Sequence, residues 1–322
     1  MGVLCNVVDK KSYIVVQFVN KGHKGGATMK VLNFGSLNLD YTYSVEHIVR
    51  EGETISSNGM AMNLGGKGFN QSVAMSRAGI PVYHAGLVGE EGLVFFDACE
   101  TYGIKTDYIK TVTGRCGHTI IQVDSSGQNC IVLFGGANQK NSKEYVDEVL
   151  SHFEAGDIIV LQNEINELPY IIDRAFSIGM TIVLNPSPLD DKIDECDLGK
   201  VSVFILNETE GEQLTGENTP SGIIQSMQAN YSNAKIVLTL GKSGSIYHHG
   251  DEELYQPAFE VKAVDTTAAG DTFTGFFIAG LLKKMPMRDV LLMATKASAL
   301  AVQKNGAAQS VPFMSEVELF EG

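Results

Sequence analysis

The sequence lacks the patterns that mark several classes of protein. Its cysteines form no Cys-x-x-Cys pair and no cluster with histidine at metal-ligand spacing, so reduced thiols are predicted. No apolar run reaches the ~18 residues of a membrane-spanning helix, and the N-terminus lacks the charged, apolar and small-residue layout of a signal peptide. We therefore expect a soluble, cytoplasmic protein. The cysteines are Cys5, Cys99, Cys116, Cys130 and Cys196.

Basic residues are also scarce. There are 24 Lys and Arg against 38 Asp and Glu, a formal net charge of −14, and no stretch combines basic and aromatic residues. This argues against binding to nucleic acid. A nucleotide is still possible, because a few local donors, a helix N-terminus and a metal ion can hold a triphosphate.

What the sequence does contain is a repeated alternation of short apolar strands and helical stretches that end in glycine. Hydrophobic residues make up 44% of the 322 positions, enough for a large core. The alternation predicts an α/β fold with a buried parallel sheet. The predicted strands are residues 30–36, 157–162, 181–186, 201–207 and 234–240.

Two segments depart from this rhythm. Residues 40–64, and the pair 118–124 and 129–136 joined by Ser-Ser-Gly-Gln, have the pattern of antiparallel strands. They predict a small second sheet, with lid strands at about 40–64 and 117–135. Such a sheet can cover a substrate and exclude water, or it can form a dimer, and the two roles are compatible.

Residues 1–28 differ from the remainder of the chain. A strand-like stretch is followed by a polar, glycine-rich one, and a second methionine, Met29, precedes the first buried strand. We interpret residues 1–28 as an N-terminal extension of unknown role, and residues 29–322 as the functional domain.

The strongest chemical signal is a turn of small residues that opens into an apolar helix, in residues 263–273. Backbone N–H groups at such a helix start are unpaired, so Ala268, Ala269 and Gly270 can bring donors close to an anion. Asp271 lies in the same first turn, where acids are favoured in any case. The local pattern alone leaves capping and catalysis equally open for this residue.

Two long motifs in the right order carry a resemblance to a known family. The run Asp-Thr-Thr-Ala-Ala-Gly-Asp-Thr-Phe occupies 265–273, and Asn-Leu-Gly-Gly-Lys-Gly-Phe-Asn-Gln occupies 63–71. In both, the chain resembles the PfkB family of sugar kinases, and within it the ribokinase branch. The resemblance extends from about residue 29 to the C-terminus. It implies a ribokinase-like three-layer α/β/α domain with a mostly parallel sheet and a small β-sheet lid.

The resemblance also implies an activity, the transfer of the γ-phosphate of ATP to a primary hydroxyl of a sugar, ribose first among the candidates. The family's catalytic base falls on Asp271, and its anion hole falls on the backbone of residues 268–270. Without the family, Asp40 would be an exposed acid at a strand end and Asn70 a helix N-cap. The implied sugar ligands are Asn38, Asp40, Gly66, Lys67, Asn70, Glu164 and Asp271.

Nucleotide and metal sites follow from the same resemblance. Glu210 is expected to act on Mg²⁺ through water, although a solvated helix start would explain Asn207 and Glu210 equally well. Asp265 has the alternative role of stabilising its own turn. The implied nucleotide residues are Asn207, Thr239, Gly241 and Gly244. A monovalent cation, K⁺, is expected at Asp265, Thr267, Ala301, Lys304, Gly306 and Ser310.

The motifs leave some alternative functions open and exclude others. Another acceptor is possible, such as a different pentose, a nucleoside, fructose or a sugar acid, and the bulky Phe69 beside the Gly-Gly turn is expected to reshape the pocket. A non-catalytic sensor of the same fold would lack the base, yet Asp271 is present. A P-loop is rejected because Ile236 replaces its first glycine, and a dinucleotide-binding turn is absent after the first strand. We expect a homodimer formed through the small sheet.

Overall fold

The computed structural model describes residues 29–322. The predicted N-terminal extension lies outside the described residues. In chain order, the strands are β1 (Val31–Phe34), β2 (Asn38–Ser44), β3 (Gly59–Gly65), β4 (Tyr83–Val88), β5 (Lys105–Thr111), β6 (Gly117–Val123), β7 (Asn129–Phe134), β8 (Ile158–Gln162), β9 (Thr181–Asn185), β10 (Val203–Asn207), β11 (Lys235–Thr239), β12 (Ser245–His249) and β13 (Glu252–Gln256).

Helices connect most of these strands. They are α1 (Lys67–Arg77), α2 (Val94–Tyr102), α3 (Lys143–Leu150), α4 (Leu168–Ile178), α5 (Glu208–Thr215), α6 (Pro220–Asn230), α7 (Ala269–Leu282), α8 (Met287–Ala301) and α9 (Met314–Leu319). None of the helices in residues 29–322 is both long enough and apolar enough to cross a bilayer.

The large sheet has nine strands in the order β13-β12-β11-β10-β9-β8-β1-β4-β5. Its pairs are parallel except at one edge, where β12 is antiparallel to both β11 and β13. Alternate residues of the buried strands enter two different cores, as Val31 and Leu32 do in β1. Residues of α1, α7 and α8 pack on one face, and residues of α3, α4 and α6 pack on the other. The predicted three-layer α/β/α fold is confirmed.

The small sheet has four strands in the order β3-β2-β6-β7. β2 is antiparallel to β3 and parallel to β6, and β6 and β7 form the predicted hairpin. Many of its side chains are exposed, including those of Met60, Ile131 and Val132. The sheet therefore projects from the domain rather than forming part of its core.

Two glycines allow the two motif helices to approach closely. A Cβ atom on Gly275 of α7 would lie 2.3 Å from the Cβ atom of Ala74 in α1, and one on Gly68 would lie 2.4 Å from the backbone nitrogen of Ser36. Atoms cannot approach to such distances, so any larger residue would push the helices apart. Gly68 thus holds the start of α1 against the segment after β1, and Gly275 holds α7 against the middle of α1.

Candidate active site

The turn into α7 has the open backbone that its sequence predicts. The backbone of Ala268 is in the left-handed conformation, with φ of 59°, and this residue precedes the first residue of the helix. The amide of Ala269 donates to the carbonyl of Thr266 at 3.2 Å, a long turn hydrogen bond. Within the described part of the chain, the backbone amides of Ala268 and Gly270 have no backbone acceptor. At least two donors are thus free for an anion at the positive end of the helix dipole.

Asp271 points away from this backbone and towards α1. Its Oδ2 accepts a hydrogen bond from Asn70 Nδ2 at 3.1 Å, and its Oδ1 accepts one from Gln71 Nε2 at 3.0 Å. The side chain is buried, with 7% of its surface exposed. Two side-chain amides hold this carboxylate, so capping of α7 does not explain it. Asn70 is not the N-cap of α1 either, because that position is Gly66.

A small cavity of about 210 Å³ lies over the turn. Lys67 and Asp271 both line it, and Asn185 and Thr274 contribute further polar atoms. Its other lining residues are Ile205, Leu206, Asn207, Glu210, Thr239, Thr266, Ala268, Ala269 and Gly270. The cavity therefore joins the predicted base, the predicted anion hole and the predicted Asn207–Glu210 pair.

A larger cavity of about 750 Å³ begins at the same turn. Its volume suits a ligand the size of a nucleotide. Apolar walls come from Phe259, Val261 and Phe273, and the Thr295 hydroxyl at its edge is buried with no hydrogen-bond partner in the part of the chain that the structure describes. The two cavities share Thr239, Thr266, Ala269 and Gly270.

The predicted glycines of the nucleotide site line this larger cavity. Gly241 and Gly244 both have positive φ, 52° and 106°. A Cβ atom on Gly244 would lie 2.0 Å from the carbonyl oxygen of Gln256. Only glycine fits there, because both its conformation and the approach of β13 exclude a side chain.

Lys67 supplies positive charge beside Asp271. Burial disfavours its ammonium group, but the carboxylates of Asp271, Glu164 and Glu210 outweigh this and raise the pKa of Lys67. The lysine is therefore charged at neutral pH. Three acids surround one cation, which leaves this region able to accept a further cation next to a bound polyanion.

Asn38 and Asp40 lie together on β2, each held by a residue that sequence reasoning missed. Asn138 Nδ2 donates to Asn38 Oδ1 at 2.7 Å, and Thr119 Oγ1 donates to Asp40 Oδ1 at 2.5 Å. The interpretation of Asp40 as an exposed strand-end acid is wrong, because burial raises its pKa to about 6, against the hydrogen bond from Thr119 and with a smaller contribution from Glu164. Gly65 leaves the space for this carboxylate.

Glu164 joins the first strand to the start of α1. Its Oε2 accepts hydrogen bonds from the Lys67 amide at 2.9 Å and from the Ser36 hydroxyl. Burial raises the pKa of Glu164, and the neighbouring Lys67 opposes this shift. Neither of the two cavities is lined by Asn38, Asp40 or Glu164. Lys67 and Asp271 are the predicted sugar ligands that line the smaller one.

Asn207 and Glu210 form a reciprocal cap at the start of α5. Asn207 Oδ1 accepts from the Glu210 amide at 2.9 Å, and Glu210 Oε2 accepts from the Asn207 amide at 3.0 Å. The helix-start interpretation thus accounts for their mutual bonds, while their place in the small cavity agrees with the other role. In residues 29–322 no three His, Cys, Asp or Glu side chains are grouped closely enough to hold a metal ion.

The predicted K⁺ residues lie on two segments that Asp265 connects. Its Oδ1 accepts from the Thr267 amide and its Oδ2 from the Gly306 amide, both at 2.9 Å. Burial raises the pKa of Asp265, but these hydrogen bonds outweigh it and the net pKa is lowered. The Ser310 hydroxyl donates to the Ala307 carbonyl at 2.8 Å, and Lys304 pairs with Glu316 at 2.9 Å. Ala301 ends α8 just before the second segment.

Phe69 has no role in either cavity. Its ring is fully buried in the core, where it packs edge-on against Phe95 at 5.3 Å and Tyr102 at 6.0 Å between ring centroids. The prediction that this ring reshapes the acceptor pocket is wrong. Position 69 is the third residue of α1, and its side chain points to the side of the helix opposite the site.

Comparisons with known proteins agree with this geometry. The family model described as pfkB family carbohydrate kinase matches residues 28–314. Ribokinase of Staphylococcus aureus (strain COL) is 35% identical over 303 residues, which are 90% of this chain and 99% of that protein. The resemblance that the motifs carry is thereby confirmed.

Solved structures give the same result for the fold. Ribokinase from Cryptococcus neoformans var. grubii serotype A in complex with ADP is 32% identical and superposes with a TM-score of 0.78, covering 90% of this chain and 99% of that one. Arabidopsis thaliana ribokinase complexed with ribose and ATP is 29% identical, with a TM-score of 0.80 and coverage of 90% and 98%.

The raised pKa of Asp40 predicts a pH-dependent cost in stability. Above pH 6 its partly buried carboxylate is charged, and this charge lowers the free energy of unfolding by up to roughly 3 kcal/mol, discounted to about 1–2 for partial hydration. As pH falls from 6 towards 4, the folded state binds the proton first and the cost disappears. Asp40→Asn should therefore raise the free energy of unfolding at pH 8 and leave it unchanged at pH 4.

Urea denaturation at the two pH values measures this difference. Asp251→Asn, an exposed acid in the turn between β12 and β13, is the matched control and should show no change at either pH. A destabilised Asp40→Asn at pH 8 would contradict the cost assigned to the buried charge.

Proposed function

Since the chain belongs to the pfkB family of carbohydrate kinases, and is an ATP-dependent sugar kinase, we propose that it phosphorylates ribose at its primary hydroxyl. The observation that carries the mechanism is the position of Asp271. Asp271 lines the small cavity together with Ala268 and Gly270, and Gly270 also lines the larger cavity. A hydroxyl in the small cavity and a phosphoryl group at the turn would meet at this junction.

Asp271 acts as the general base. An alcohol is a weak nucleophile, so transfer of its proton to the carboxylate accompanies attack of the oxygen on the γ-phosphorus. The bond from that phosphorus to the β,γ-bridging oxygen breaks, and ADP leaves with the electron pair. Asn70 and Gln71 donate to both carboxylate oxygens, so the Asp271 side chain is held in one orientation from which it can accept that proton.

The turn and Lys67 stabilise the negative charge on the transferring group. Free amides at a helix start need no reorganisation as charge develops, which makes them effective donors. Glu210 supplies the one carboxylate of this pair in the small cavity, which is fewer ligands than Mg²⁺ needs. Because Mg²⁺ keeps several of its water molecules when bound, Asn207 and Glu210 would hold it through water. The metal would neutralise phosphate charge when MgATP is bound.

Ribose is favoured over other acceptors by the polar groups that surround its proposed position. Asn38, Asp40 and Glu164 offer amide and carboxylate atoms, and a site of this kind rejects analogues that lack the matching hydroxyls. The Gly66 backbone and Asn70 complete the proposed set. The Arabidopsis protein of similar sequence was solved with ribose and ATP. The alternative is another sugar or a nucleoside, such as fructose, a sugar acid or an adenosine-like compound.

We also propose K⁺ as an activator. Asp265 ties the segment before the anion hole to residues 304–310, so a cation between the two segments would fix the turn from behind. The proposed ligands are Asp265, Thr267, Ala301, Lys304, Gly306 and Ser310, several through backbone carbonyls.

We assign residues 29–322 to one kinase domain, with the small sheet as a lid and as a dimer interface. One face of that sheet exposes Met60, Met62, Ile120, Val132 and Phe134, with exposed fractions of 43–60%. Cross-strand pairing places Ile120 opposite Val132 and His118 opposite Phe134. A contiguous apolar surface of this kind is typical of an interface, and a second copy of the chain would cover it.

Replacement of the base is the direct test of mechanism. We expect Asp271→Asn to lower kcat by roughly 10²–10⁴ while the affinities for sugar and ATP stay near those of the wild type. A coupled assay of ADP release measures kcat, and calorimetry measures binding. Asp289→Asn, an exposed acid in the first turn of α8, is the control. Turnover of the Asp271 variant at the wild-type rate would remove the residue from its role.

A screen of acceptors tests the substrate. With the same coupled assay, ribose should give the highest kcat/KM among pentoses, hexoses, sugar acids and nucleosides. The series is run with Na⁺ or K⁺ at equal ionic strength, and K⁺ should raise kcat several-fold. Preference for a nucleoside or fructose would favour the alternative acceptor, and equal rates with both cations would exclude K⁺ activation.

The dimer is tested by a charge on the apolar face. Val132→Lys should make the protein monomeric, because burying an unpaired ammonium group in the interface is costly. Light scattering measures the molar mass in solution. Ile131 is next to Val132 in β7, and its side chain points to the opposite face of the sheet. Ile131→Lys is therefore the matched control, and this variant should remain a dimer. A wild-type protein that is monomeric at micromolar concentration would refute this interface.

A further inference from the structure

A continuous chain of buried polar side chains leads from Asp271 into the interior of the protein. Gln71 donates to Asp271, Gln162 Nε2 donates to Gln71 Oε1 at 2.7 Å and to Asn33 Oδ1 at 3.0 Å, and Asn33 Nδ2 donates to Ser72 Oγ at 2.8 Å. Asn33, Gln71, Ser72 and Gln162 are all fully buried. An interior network of this length is costly unless each member is satisfied, so it calls for an explanation.

His84, at the end of this network farthest from Asp271, determines the direction of every hydrogen bond in the network. Burial lowers the pKa of His84 to about 4, so its imidazole is neutral at pH 7 and carries one N–H. The Gly35 carbonyl, 3.3 Å from His84 Nε2, can only accept, which places that hydrogen on Nε2. His84 Nδ1 must then accept from the Ser72 hydroxyl at 2.8 Å.

From Ser72 the order follows residue by residue. Its hydroxyl hydrogen is used on His84, so its oxygen accepts from Asn33, which also donates to the Gly68 carbonyl at 2.6 Å. The oxygen of Asn33 therefore faces Gln162, whose second N–H reaches Gln71 Oε1. Gln71 is left with its amide nitrogen towards Asp271 and Asn185, at 3.0 and 3.3 Å.

Gln162 keeps this orientation at a cost. Its Oε1 is buried and has no hydrogen-bond partner among residues 29–322. If the Gln162 amide were reversed, its oxygen would face Asn33 Oδ1 and Gln71 Oε1, and both hydrogen bonds would be lost. Its NH2 group would then take the place where the oxygen now has no partner. The network thus maintains a donor, and not merely a polar group, at position 71.

We propose that Gln71 is a positioning residue for the base, and that Gln162 fixes the Gln71 amide so that it always presents N–H to Asp271 Oδ1. The proposal rests on the proposed role of Asp271. If the amide of Gln71 turned over, its oxygen would face the carboxylate, and the carboxylate would lose a donor and rotate away from the acceptor hydroxyl. The 63–71 motif would then supply two donors to the base, one from each of its last two residues.

The other charged groups near Asp271 are the same in all of the variants below. Lys67 of α1 interacts with the charges of Asp271, Glu164 and Glu210, and Glu164 also interacts with Asp271. None of these groups is changed in the variants below, so a shift in pH dependence can be assigned to the lost amide.

Gln71→Met removes the donor and keeps the length of the side chain. We expect kcat to fall about tenfold, the equivalent of one hydrogen bond to a charged group, with both KM values within about threefold of wild type. The acid limb of the kcat–pH profile should move up by about one pH unit, because loss of a donor disfavours the charged carboxylate. In the Asp271→Asn background, Gln71→Met should cause no further loss.

Two further variants complete the test. Ser76→Ala removes another half-buried hydrogen bond of α1, from Ser76 Oγ to the Tyr102 carbonyl, and should leave the pH profile unchanged. Gln162→Met should move the acid limb in the same direction as Gln71→Met, by less, and it carries the test if circular dichroism shows that Gln71→Met does not fold.

The outcomes separate this proposal from the function it rests on. Turnover that depends on Asp271, together with a wild-type pH profile in folded Gln71→Met, overturns the role of Gln71 alone. An equal loss from Gln71→Met in the presence and absence of Asp271 also overturns it, since the amide would not act through the base. Sugar phosphorylation that is insensitive to Asp271→Asn overturns the proposed mechanism and this inference together.

Discussion

The contact between the first turns of α1 and α7 is the constraint on which the site depends. Asp271 is separated by about 200 positions from the two amides that hold it. It meets them only because Gly275 lets α7 lie against Ala74, and Gly68 lets α1 lie against the end of β1. A methyl group at Gly275 would push α7 away from α1, and one at Gly68 would push α1 away from the backbone of Gly35 and Ser36, and either shift would exceed the tolerance of a hydrogen bond. The packing of two helices thus sets the geometry of the base.

Charge balance gives this arrangement its chemical character. Asp271, Glu164 and Glu210 surround Lys67 and raise its pKa, so acidic side chains outnumber basic ones in the cleft. A polyanion is accepted there only through the free amides of the turn, the helix dipole and accompanying cations. An overall charge of −14 is therefore compatible with nucleotide binding, because the local donors decide affinity at contact distance and solvent screens the distant charges.

Much of the fold could be predicted from the sequence, because its signals are local. Buried parallel strands are continuous apolar runs, and the hairpin of β6 and β7 has its own turn residues, so both sheets were predicted. The partners of the site residues could not be. Thr119 meets Asp40 through the parallel register of β2 and β6, and Gln71 meets Asp271 through tertiary packing, neither of which a spacing rule specifies. The burial of Phe69 in the core could not be predicted either, because the motif does not show which side of α1 packs against Phe95 and Tyr102.

The two sides of the proposed site are built on different parts of the fold, and this separates binding from chemistry. Asp40 and Asn38 belong to the small sheet, and their hydrogen-bond partners come from β6 and from the segment after β7. Asp271 and the turn belong to the part of the fold built on the large sheet, and the buried network holds Asp271 through Gln71. Movement of the small sheet would therefore alter the contacts to an acceptor while the base and the anion hole keep their geometry. A rigid floor that carries the proposed base, under a separately anchored sheet, would let an acceptor be enclosed without disturbing the groups proposed to react with it.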